Sequence, residues 1–359
     1  MSPTPCGFVR TPEKGLARLF WRAGEWVVDG QETLDDAGLR ALRGLEVDWP
    51  AERVPLDGLM RLAGAGVPLT AADAPAWVPE KLREAITDRA WLAHEPDGTP
   101  RCLADLRREE HSIRLRRLAA PRRAQPLVSV VMATKRPDYV ASALDQMARQ
   151  RGVRAEVLLG LHGFGIDRVR EAVEGCPLPV SWVEADAGVP FGEVLNRAAA
   201  KAGGDYVTKW DDDDWYGPGH LSDLLMALAY SGADVVGTTG EFFYLEPLNL
   251  TIRRTTFASG ASYPSEVWAD HVAGGTILLS REKFREIGGF PALQKAVDRE
   301  FLKAASGAGA RIYRTHGLGY VLRRGLSEHH TWQLPLGHFV DVAAGQWHGF
   351  RPSLLMEAA

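Results

Sequence analysis

The chain has 359 residues, 45% hydrophobic and 25% charged, which is the composition of a globular protein with material for a sizeable core and length for two domains. A formal net charge of -4 gives no global basic field and excludes nucleic acid as an expected partner. The three cysteines, Cys6, Cys102 and Cys176, are far apart and form no CxxC pair, which argues against a zinc site or a disulfide framework and fits a reducing, cytoplasmic setting.

In chain order, "RLFWRAGEWVVDG" alternates apolar and polar residues around Ala23-Gly24 and predicts a hairpin near Trp21 and Trp26. "DDAGLRALRGL", "PLDGLMRLAGAGVPL" and "PEKLREAITDRAWLAHE" place apolar residues at helical spacing, with Gly or Pro as stops. No chemistry is visible in these segments. "LADLRREEHSIRLRRLAAPRRAQP" reads as a solvated connecting helix running into a linker; its arginines leave contact with anionic lipid or a phosphorylated partner open. Residues 1–120 are therefore expected to be a small mixed α+β accessory domain, with the boundary near Pro121 to Pro126.

Beyond it, strand and helix patterns alternate. "PLVSVVMAT" is a valine-rich apolar run of the kind buried on both faces of a parallel sheet, and Pro137-Asp138 opens a helix after it. "AEVLLGL", "VSWVEA" and "YVTKW" are further strands, separated by helical patterns such as "GEVLNRAAAKAGG". Such alternation predicts an α/β fold with a mainly parallel sheet flanked by helices, and ligands at the carboxyl ends of its strands. No stretch approaches the roughly 18 apolar residues of a membrane-spanning helix. A soluble protein is expected, with peripheral membrane contact left open.

The strand "YVTKW" runs directly into Asp211, Asp212, Asp213 and Asp214, followed by Trp215-Tyr216-Gly217-Pro218. Adjacent carboxylates repel one another, and a divalent cation relieves that repulsion. Oxygen-only ligands favour Mg2+ or Mn2+, which in turn prefer a partner carrying phosphate.

Four features, taken in order, make the chain resemble the family 2 glycosyltransferases of the GT-A fold over about residues 126–335. They are "VSVVMATKRP", "VLNRAAAKAGGDYV", the acidic "WDDDDWYGP", and "GGTILLSREKFREIGGFP" followed by "AVDREFL". The resemblance implies an inverting transfer of a sugar from a nucleotide-diphosphate sugar to an acceptor hydroxyl. It places the DxD motif on Asp211 and Asp213, with Asp213 the direct metal ligand and Asp211 or Asp212 near the ribose. It makes Asp298 the general base, His330 (or His329) a further metal ligand, and Thr134, Arg136 and Asn196 donor contacts. It also puts Gly274, Gly275 and Trp332 against the acceptor or donor sugar. The acidic residue with which many family members read uracil is replaced by Leu161 and His162, which places uridine specificity in doubt. Residues 336–359 are expected to be a C-terminal tail. The rival readings are a nucleotide-sugar-forming nucleotidyltransferase, for which "ATKRPDYV" lacks a glycine-rich turn; a haloacid-dehalogenase-type phosphotransferase, for which Thr134 and Lys135 stand where a nucleophilic aspartate is needed; and a catalytically degenerate sugar-nucleotide-binding module.

Overall fold

A computed structural model describes residues 11–29, 36–99, 101–120, 125–256, 261–325 and 335–357. The chain divides into two units, Met1–Arg122 and Arg123–Ala359.

The first unit comprises β1 (Lys14–Arg22), β2 (Glu25–Val28), α1 (Asp36–Ala41), β3 (Leu42–Asp48), α2 (Asp57–Gly64), β4 (Leu69–Thr70), α3 (Glu80–Thr87) and α4 (Leu103–Ala119). The expected hairpin is present. Arg22 pairs with Glu25 across a two-residue turn in which Ala23 and Gly24 both have positive φ, the handedness that matches strand twist. The segment "DDAGLRALRGL", read as helical over 35–45, instead divides between α1 and β3, because Leu42, Leu45 and Val47 are drawn into a sheet ordered β2-β1-β3-β4. Leu19, Leu45, Leu59, Leu69 and Ile86 form the centre of its core.

The helix α4 corrects the sequence reading. It is not solvated: Asp105, Arg108, Glu109, Glu110, His111, Ser112 and Arg116 are all buried. Its polar groups reach backbone carbonyls. Arg108 donates to Arg43 O and Leu42 O at 2.7 Å each, His111 Nε2 donates to Leu69 O at 2.7 Å, and Ser112 Oγ donates to Gly66 O at 2.6 Å. A buried polar group is tolerated when it is hydrogen-bonded, so a helix without an apolar stripe can still be interior.

The second unit alternates as β5 (Leu127–Thr134), α5 (Pro137–Ala148), β6 (Arg154–His162), α6 (Arg170–Glu174), β7 (Val180–Ala185), α7 (Phe191–Ala199), β8 (Tyr206–Lys209), β9 (Trp215–Tyr216) and α8 (His220–Ser231). It continues with β10 (Val235–Thr238), β11 (Phe242–Leu245), β12 (Leu250–Arg254), β13 (Val267–Trp268), β14 (Leu278–Ser280), α9 (Arg281–Ile287) and α10 (Val297–Gly307). It closes with β15 (Ile312–Thr315), β16 (Tyr320–Arg324), α11 (Leu336–Asp341) and β17 (Ala343–His348). The main sheet has the order β13-β15-β10-β14-β8-β5-β6-β7. Strands β8, β5, β6 and β7 run parallel, and β14 lies antiparallel between β8 and β10. The fold is α/β, with the sheet buried on both faces. Along β5, Val128, Val130 and Met132 join the core beneath α5 and α8, while Val131 and Ala133 join the one beneath α7 and α10.

A second sheet, β17-β12-β11-β16-β9, stands beside the first. It contains the strand that follows the four aspartates. It also overturns the expected tail, because β17 pairs antiparallel with β12 and Phe339 of α11 is buried against Phe243. No helix among the described residues is long and apolar enough to cross a membrane.

Candidate active site

Strands β5 and β8 are paired neighbours, so their carboxyl ends bring Thr134 and the aspartate run to one edge of the sheet. Trp210, fully buried, anchors the turn: its amide donates to Val131 O at 2.9 Å and its ring stacks on Tyr216, with centroids 3.6 Å apart. Tyr216 then fixes the backbone on both sides. Its hydroxyl accepts from Asp211 N at 2.9 Å and donates to Gly275 O at 3.0 Å, and its amide donates to Gln146 Oε1 at 2.8 Å.

The four carboxylates are held apart by protein cations and divide into two kinds. Asp212 and Asp214 are closed off, with side chains 6% and 4% exposed; Asp211, Asp213 and Asp298 are open at 30%, 14% and 35%. Asp212 accepts from the Thr134 hydroxyl and from Arg136, whose Nε lies 3.1 Å away. Arg136 Nη1 also reaches Asp213 Oδ2 at 3.1 Å. Burial would lower the Arg136 pKa, but Asp212 and then Asp213 more than reverse that and keep it charged. Asp214 accepts from the Tyr320 hydroxyl and from Arg323 N at 3.1 Å, tying the aspartate turn to the second sheet. Burial, reinforced by the charge of Asp213, pushes Asp214 up to about 8, as befits a carboxyl serving structure.

Lys209 links the open acids. Its ammonium group, 2% exposed, pairs with Asp211 Oδ1 and lies 3.1 Å from Asp298 Oδ1. Burial would lower its pKa, but Asp211 and Asp298 together drive it upward. Burial pushes Asp211 up to about 6, with Lys209 opposing and Asp298 and Asp213 adding to the rise. Asp298 stands in the first turn of α10, behind Ala296 at φ 60. The two glycines opposite are there for space. A side chain at Gly274 would come within 2.2 Å of Asp298 Oδ2, and one at Gly275 within 2.7 Å of Asp211 Oδ2.

Residues 129–301 match the sequence model of the family described as glycosyl transferase family 2. These residues of the second unit form a family 2 glycosyltransferase domain. Among curated proteins, the glycosyltransferase YwdF of Bacillus subtilis (strain 168), itself uncharacterised, is 28% identical over 171 residues, 46% of this chain and 62% of the relative. Among solved structures, residues 1–349 of S. aureus TarS in complex with UDP-GlcNAc are 18% identical, with a TM-score of 0.43, and the match covers 60% of this chain and 64% of that one. A mannosyltransferase from Pyrobaculum calidifontis in complex with GDP-Man and Mn2+ is 18% identical, with a TM-score of 0.44, covering 70% and 66%. The chain thus spans less than two thirds of the length of YwdF and of the TarS fragment.

Within this family 2 unit, the structure brings Thr134, Arg136, Asp211, Asp212, Asp213, Asp298, Gly274 and Gly275 into one constellation. Asn196 is elsewhere. Its side-chain amide donates to Phe290 O at 2.7 Å and accepts from Phe290 N at 2.8 Å, so it fastens the turn after α9 to α7, and the expected donor contact is withdrawn. His329, His330 and Trp332 lie outside the described residues. His162 is buried at the end of β6, its Nε2 donating to Ala187 O at 3.2 Å, and burial holds its pKa down. Lys209, Tyr216 and Tyr320 were missed by the sequence reading. Only Lys209 carried a signal: a lysine at the end of a buried strand, two residues before the acids, needs a carboxylate partner.

Proposed function

We propose that the second unit moves a sugar from a nucleoside-diphosphate sugar to an acceptor hydroxyl with inversion, Asp298 acting as general base. The observation that supports this most is the shared contact of Lys209 with Asp211 and Asp298, which puts a positioned carboxylate beside the open acids at the carboxyl edge of the sheet.

A divalent metal fits the open acids. Asp211 and Asp213 offer hard oxygens, and Mg2+ or Mn2+ is commonly held by one or two carboxylates together with substrate phosphates rather than by an all-protein cage. Among the described residues no group of three or more metal-binding side chains occurs, so the donor's phosphates would have to supply further ligands. When bound, the cation would neutralise charge on the departing diphosphate.

The remaining work falls to the chain. Asp298 accepts the proton of the acceptor hydroxyl as that oxygen bonds to the anomeric carbon; the bond to the diphosphate breaks, and its electron pair leaves with the nucleotide. Lys209 holds Asp298 in place. Thr134 and Arg136 line the donor side with Asp212, and Gly274 and Gly275 leave the space in front of Asp298 and Asp211 unfilled.

A thermal-shift panel of UDP, GDP, CDP and TDP, each with and without Mn2+, tests this reading, followed by hydrolysis assays with sugar forms of the best nucleotide. One nucleotide should stabilise the protein only when Mn2+ is present, and Asp213→Ala should abolish that shift. If no nucleotide stabilises the parent, or the variant responds as the parent does, the donor site is wrong.

A further inference from the structure

The first unit carries a feature that the transfer reaction does not use. Four indoles form one edge-to-face row: Trp21 on Trp26, Trp26 on Trp49 and Trp49 on Trp77, each pair with ring centroids 5.6 Å apart. Trp21 and Trp26 are cross-strand partners in the β1–β2 hairpin, while Trp49 and Trp77 come from the ends of proline-containing loops. All four are half-buried, so the row borders the core and also reaches solvent.

Two cavities adjoin neighbouring members of this row. One, of about 440 Å³, is lined by Trp49 with Arg18, Glu46, Asp48, Asp73 and Pro75. The other, of about 430 Å³, is lined by Trp77 with Arg53, Val54, Pro55, Leu56 and Pro79. Each is within the range of small-molecule sites. Their walls limit what could occupy both. Around the first, Asp48 is paired with Arg18 and Glu46 with Arg89, so Asp73 supplies the remaining negative charge; the second has Arg53 and no carboxylate. A ligand spanning both, with one acid and one base facing it, is best uncharged. It must also present apolar faces to indole rings and hydroxyl donors to carboxylates.

From this we infer that the first unit binds uncharged carbohydrate, with successive sugar rings of a glycan chain on Trp49 and Trp77. The C–H faces of a pyranose pack on an indole, and Asp73 and Glu46 accept from hydroxyls at the ring edge. The site stands independently of the transfer chemistry of the second unit.

Affinity electrophoresis of the full chain, in native gels containing dextran, mannan, laminarin, xylan or hydroxyethylcellulose, tests it. At least one glycan should retard the parent, with little change on adding salt. Trp77→Ala should weaken that retardation at least tenfold. Because removing a half-buried indole can disturb the fold, the exposed variants Asp73→Ala and Arg53→Ala serve as the second arm; each should keep the parent's melting transition, and Asp73→Ala should weaken binding severalfold. Unchanged migration of the parent in every gel overturns the inference. So does retardation that survives both exposed substitutions, or that disappears in Asp213→Ala, which would locate the glycan at the second unit instead.

Discussion

Helix α4 of the first unit and the acid-bearing edge of the second hold buried polar groups in different ways. In α4 of the first unit, Arg108, His111 and Ser112 bond to backbone carbonyls of Leu42, Arg43, Leu69 and Gly66. In the second unit, Arg136 and Lys209 bond to the side chains of Asp211, Asp212, Asp213 and Asp298 at the carboxyl edge of the sheet. A carbonyl inside a folded sheet cannot be offered to a ligand without opening the fold. A carboxylate held by a neighbouring ammonium can exchange that partner for another cation. The first arrangement therefore stabilises, and the second can be put to use.

The largest effect that would sharpen this contrast is expected at Asp298. Asp298→Asn should slow sugar transfer by roughly 10²-fold to 10⁴-fold while donor affinity stays within a few-fold, because it removes a positioned base and little else. Steady-state kinetics beside a nucleotide titration would decide, and unchanged turnover would remove Asp298 from the mechanism.

The mirror experiment belongs to the first unit. Arg108→Met leaves the carbonyls of Leu42 and Arg43 without their guanidinium and should cost about 3 kcal/mol of stability. Turnover per folded molecule should be unchanged. Denaturant unfolding and an activity assay on the same preparation separate the two outcomes, and a loss of turnover without a loss of stability would break the comparison.

These residues also show how far the sequence could be read. The strands β5 and β6 were legible because a parallel strand buried on both faces must be almost continuously apolar, and the aspartate run announced itself by following such a strand directly. Gly274 and Gly275 were legible through the family motif. The burial of α4 was not, because its polar groups are satisfied by carbonyls more than 40 residues away, and no local periodicity records that. The second sheet was hidden for a similar reason. Strand β9 has two residues and β17 joins from the region read as a tail, so pairing partners rather than propensity create them. Asn196 misled because a helix residue facing a turn and one facing a ligand look alike in sequence.

A smaller effect probes exchange itself. Lys209→Met removes the internal competitor for Asp211, so Mn2+ binding should tighten by roughly tenfold, about 1.4 kcal/mol, even as turnover falls. Titration calorimetry reads this directly. Weaker Mn2+ binding would mean that Lys209 builds the metal site rather than competing for it.

The gentlest effect, taken per pH unit, is a slope in the first unit. Burial, against the opposing pull of the Leu69 carbonyl, holds His111 down to about 4 from its ordinary 6.5. The native state thus takes up its proton later than the unfolded chain does. The contribution of His111 is complete above pH 6.5 and is lost as pH falls toward 4, by about 1 kcal/mol per pH unit. Denaturant midpoints measured at pH 7, 6 and 5 should fall accordingly, and His111→Gln should flatten the part of the slope due to this residue. An identical slope in the variant would assign it to other groups.

The central claim is that the open acids receive a divalent cation together with a diphosphate. Crystals grown with Mn2+ and the preferred nucleoside diphosphate, with data collected at the manganese edge, test it most directly. An anomalous peak is expected in contact with the Asp213 carboxylate and both phosphates, with Arg136 or Lys209 drawn away from an acid it now holds. A nucleotide bound with no manganese at Asp213, or with manganese elsewhere and both ion pairs intact, would contradict it.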